Sequence, residues 1–72
     1  MNELIIMDST GDSRVVLSDE TKVAEAMTKF AEMMGKGYIA AQYTGNGDEK
    51  FLTRTFDPTA PKIVMYPQLI GG

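Results

Sequence analysis

The chain of 72 residues contains neither cysteine nor histidine. No disulfide can staple it, and thiolate nucleophiles, Cys/His zinc sites and imidazole acid–base chemistry are excluded together. A Ser-His-Asp triad falls with the histidine. Long apolar runs are also missing. Leu4-Ile5-Ile6-Met7 sits between Glu3 and Asp8, too short for a secretion signal and far below the roughly 20 residues that span a bilayer. No membrane partner is expected. Basic residues are few and scattered, at Arg14, Lys22, Lys29, Lys36, Lys50, Arg54 and Lys62, and the net charge is −3. Without a basic stripe, no nucleic-acid partner is expected. The lack of cysteine agrees with a reducing compartment, so a cytoplasmic location is expected.

What is present suffices for one small core. The composition is 43% hydrophobic, and a chain of this length buries only about 60% of its unfolded surface. Residues 3–7 read as a buried strand. Ser9-Thr10-Gly11-Asp12 reads as a turn and residues 13–17 as a second strand, making a hairpin with a loop of about four residues. Ser18-Asp19-Glu20 opens a helix, with a capping side chain and acids at the positive end of its dipole. Val23, Met27, Phe30, Ala31 and Met34 recur at helical steps and form the expected apolar stripe, with Lys22, Glu25, Lys29 and Glu32 opposite. Gly35-Lys36-Gly37 closes the helix. Residues 38–43 read as a third strand, Gly45-Asn46-Gly47-Asp48 as a turn, residues 51–56 as a fourth strand and residues 62–66 as a fifth. The expected order is ββαβββ in an α+β fold, one mixed or antiparallel sheet with a helix on one face. Residues 1–66 form the domain, and 67–72 an extended tail.

With the last strand residue before it, that tail reads Tyr66-Pro67-Gln68-Leu69-Ile70-Gly71-Gly72. Two final glycines make a bare, narrow end that can enter a confined channel, because no β-carbon limits φ/ψ or close approach. The element order together with this tail resembles the ubiquitin-like β-grasp family, and most closely its sulfur-carrier branch, the molybdopterin-synthase small subunit and the thiamine-pathway carrier. The resemblance implies a carrier or modifier protein without a catalytic residue or cofactor of its own. A partner enzyme of the E1 type would adenylate the carboxylate of Gly72, leading to a thiocarboxylate or an amide. Gly71 and Gly72 would be the activated end, Leu69 and Ile70 would guide it, and Pro67 would stiffen its exit from the last strand.

One feature departs from that family. A β-grasp sheet lays the last strand parallel beside the first, and parallel neighbours need a crossover of a dozen or more residues. Asp57 to Pro61 supplies about five, which suits an antiparallel hairpin. A hairpin followed by a three-strand meander is the alternative fold. The alternative function is a small non-enzymatic protein-binding module, such as a phage or mobile-element accessory, inhibitor or assembly protein. Other sites are weaker. Asp8 to Asp12 lacks calcium-loop spacing and is read as turn chemistry, and no metal site is expected. Gly45-Asn46-Gly47 precedes no helix that could hold a phosphate.

Overall fold

The computed structural model describes residues 2–45 and 49–68. Strand β1, Glu3–Asp8, turns back into β2, Gly11–Val16. They pair antiparallel from Glu3↔Val16 to Asp8↔Gly11, so the loop is only Ser9-Thr10. The four-residue turn expected at 9–12 is corrected by this register. The Asp8 carboxylate closes the tighter turn, accepting from Thr10 N at 2.8 Å and from the Thr10 hydroxyl at 2.6 Å. Gly11 then adopts φ 131°, a region open to glycine and strained for other residues.

Helix α1, Glu20–Gly35, is capped by Asp19, whose carboxylate accepts from Lys22 N at 2.9 Å. Its end is a Schellman motif. Gly37 N donates to Met34 O at 3.1 Å and Tyr38 N to Met33 O at 3.0 Å, with Gly37 at φ 89°. The expected stripe is corrected in part. Ala26 and Phe30 are buried and Val23, Met33 and Met34 partly so, whereas Met27 is 52% exposed and Ala31 is also exposed. The buried line is 23-26-30-33, one position round from the larger side chain at 27. The small Ala26 is fully covered.

Strands β3, Ile39–Tyr43, β4, Lys50–Thr53, and β5, Lys62–Tyr66, complete one sheet in the order β2-β1-β5-β3-β4. β5 runs parallel to β1 and antiparallel to β3. The sheet is therefore mixed and the arrangement β-grasp-like, and the meander is excluded, since β4 and β5 are not neighbours. The short-link objection fails because β4 ends early. Thr53, and not Phe56, is its last residue, so eight residues, 54–61, make the connection. Eight residues reach about 26–29 Å, while the link must cross two strand spacings and return from the level of Ala40 to that of Tyr43, about 14 Å in a straight line.

The crossover also packs. Thr55 N donates to the Thr53 hydroxyl at 3.2 Å, and that hydroxyl donates to Thr55 O at 3.1 Å. Such local bonding competes with a sheet ladder. Phe56 turns inward to meet Phe30, ring centroids 5.6 Å apart. Asp57 holds the next turn, accepting from Thr59 N and from the Thr59 hydroxyl at 2.9 and 2.6 Å, and its second oxygen accepts from Gln42 Nε2 at 3.1 Å. Ala60 joins Leu4, Ile6, Ile63, Met65 and Phe30 in the core.

Candidate functional site

Alternation assigns the two faces of the sheet. Leu4, Ile6, Val15, Ala40, Ile63 and Met65 point to the helix and are buried. The opposite face has no helix over it among the described residues. Across its middle the register aligns Arg14, Ile5, Val64, Ala41 and Leu52. Val64 and Ala41 at the centre are largely screened, whereas Leu52 is open to solvent. At one end Met7 and Tyr66 are exposed beside the half-buried Ile39. At the other, the Tyr43 ring carries Lys62 Nζ at 4.4 Å from its centroid and Lys50 Nζ at 5.7 Å, a cation–π arrangement. Glu3 meets Arg14, with Arg14 Nε 2.9 Å from Glu3 Oε1. That oxygen is buried and makes no directed hydrogen bond, so the contact is one of charge.

The tail leaves from the Tyr66 end of this face. Tyr66 pairs with Ile39 as the last residue of β5, and Pro67 and Gln68 follow, both exposed. Pro67 cannot donate to a ladder, which suits the place where pairing stops. Of the candidate tail residues, Pro67 is placed in this way. Leu69, Ile70, Gly71 and Gly72 lie outside the described residues. Gln68 borders a depression of about 460 Å3, shared with Met34 and Tyr38 after the helix and with Leu52 and Arg54 at the end of β4.

Two half-buried aspartates are perturbed. Asp8 is held below the usual carboxylate range mainly by the Thr10 hydroxyl, then by the Thr10 N–H. Asp57 is lowered in the same way by Thr59. Both shifts come from hydrogen bonds that favour the charged form, and both belong to turns. Among the described residues no group of acids is placed to hold a metal ion. No helix among them is long and apolar enough to cross a membrane.

The face was not legible as a surface in the sequence, because which of two alternating sets a helix covers depends on where the helix packs. Comparison with known proteins gives no match to a family model, a curated protein or a solved structure.

Proposed function

We propose that this protein is a ubiquitin-like carrier or modifier, with a rigid body that presents its C-terminal tail to an activating enzyme. The observation that carries the reading is the position of β5. It lies between β1 and β3 in the middle of the sheet, is anchored there by Ile63, Val64 and Met65, and leads directly into the exposed Pro67 and Gln68. A tail issuing from a central strand leaves a firmly held point. In the proposed reaction, a Gly72 carboxylate oxygen attacks the α-phosphorus of ATP on an E1-type enzyme and pyrophosphate leaves. A sulfur nucleophile or an amine then attacks the acyl carbon and AMP leaves. The protein supplies the acyl end and a docking face, and the partner supplies catalysis. Exposed Met7 and Tyr66 beside the tail exit form the apolar part of that docking face.

The test incubates the full chain with ATP, sulfide and E1-type enzymes encoded in the same genome, and reads the intact mass of its last peptide. The expected product is the adenylate or a single sulfur-for-oxygen exchange, with a chain lacking Gly72 left unmodified. No mass change with any of these enzymes would overturn the proposal. A second reading, a binding module acting through its surface alone, is favoured by the exposed apolar residues Met7, Phe51, Leu52 and Tyr66. It predicts that a chain lacking Gly72 keeps its function in full.

A further inference from the structure

Among the described residues the sheet ends at β2 on one side and β4 on the other, and the two edges differ. Along β2 the exposed residues are Gly11, Asp12, Ser13 and Arg14, a polar and charged edge of the kind that blunts association. Along β4 the sequence is Lys50-Phe51-Leu52-Thr53. Phe51 is 49% exposed and Leu52 68%. Alternation sends them to opposite faces, so a strand laid beside β4 would cover both.

The hydrogen-bonding groups of this edge can be assigned. Thr44 N donates to Glu49 O at 2.9 Å, which marks 44 and 49 as a hydrogen-bonded pair in the register Tyr43↔Lys50, Gln42↔Phe51, Ala40↔Thr53. Antiparallel ladders alternate between bonded and non-bonded pairs. Residues 49, 51 and 53 therefore spend their backbone groups on β3, and the N–H and C=O of Lys50 and Leu52 point outward. They find no backbone partner outside the strands among the described residues.

The charges choose the occupant. Lys50 and Arg54 flank Leu52, and Arg54 lines the depression into which Leu52 opens. Glu49 is the one described acid on the stretch 49–54, which is net positive in a chain of net charge −3. A second copy is a poor fit, because an antiparallel pairing centred on Leu52 sets Lys50 against Arg54. We infer that β4 is a docking edge for an extended segment of a partner protein, apolar at its centre and acidic at its ends, which joins the sheet as a sixth strand. This strand addition uses backbone bonds for affinity and alternate side chains for selection, and it does not depend on the fate of the tail.

The probe is the peptide acetyl-Glu-Ile-Val-Ile-Glu-amide, titrated into the isotope-labelled full chain and followed by amide NMR. Shifts should concentrate at residues 50–54, and the Lys50 and Leu52 amides should become protected from exchange. The peptide acetyl-Lys-Ile-Val-Ile-Lys-amide should bind at least about tenfold more weakly at low salt. Leu52→Pro removes an outward N–H and no bond to β3, a substitution that edge strands tolerate. It should leave the melting temperature nearly unchanged and abolish binding. Lys50→Glu with Arg54→Glu should reverse the peptide preference. Shifts centred on Ile5, Val64 and Tyr66, equal binding of the two peptides, or no binding would each overturn the inference. Broadening of the β4 amides that grows with protein concentration alone would instead identify a second copy as the occupant and overturn it too.

Discussion

Asp8 and Asp57 do the same work in two turns. Each is followed two positions later by a threonine whose N–H and hydroxyl both bond one carboxylate oxygen. Ser9-Thr10 and Pro58-Thr59 are ordinary turn residues in the sequence, and the first motif was recognisable there as turn chemistry and not as a metal loop. The carboxyls are lowered by these bonds. A lowered folded value means stability that is present above the unfolded value, near pH 4, and lost as pH falls through the folded one. Unfolding midpoints in urea should therefore fall on acidification below about pH 4. Asp57→Asn should lower the midpoint at neutral pH and flatten that acid limb. A limb of unchanged steepness would show that the Thr59 bonds contribute nothing to it.

At the scale of elements, the helix boundaries were readable because both ends are marked locally. Asp19 supplies a cap to Lys22 N, and Gly37 supplies the positive φ of the closing motif. Gly37→Ala should cost about 1 kcal/mol by chemical denaturation, since an L-residue must adopt a left-handed conformation there. No loss would mean that the end of the helix re-forms in another way. The stripe was harder to read. Met27 is larger and more apolar than Ala26, so hydrophobicity favours position 27, but the face turned to the sheet is the one with the small residue. In the same way β4 looked longer than it is. Residues 51–56 alternate well, yet Thr53 bonds locally to Thr55 and Phe56 leaves for the core, so the strand stops at Thr53.

The whole molecule is held by contacts between segments far apart in sequence. Phe30 from the helix and Phe56 from the crossover meet within the core made by β1, β2, β3 and β5. Phe30→Ala should cost about 3–5 kcal/mol, read from a urea or thermal unfolding curve. For a domain of this size that is a large part of its total stability. A near-neutral result would contradict the burial of the ring. The same contact explains why the crossover succeeds with so few residues: Phe56 and Ala60 bury as it passes, so it is a packed element rather than a slack loop.

By itself the sequence determined that the first two strands form a hairpin, where the helix starts and stops, and which chemistries are unavailable, because turn residues, caps and missing residue types act locally. It also pointed to a β-grasp-like order and left a meander open. Only the tertiary structure decided that β5 inserts between β1 and β3, that no helix among the described residues covers one sheet face and that β4 is an edge with exposed apolar residues. Those outcomes depend on long-range competition for partners: β5 gains two neighbours and a buried face in the centre, which no pairing with β4 at the rim could equal.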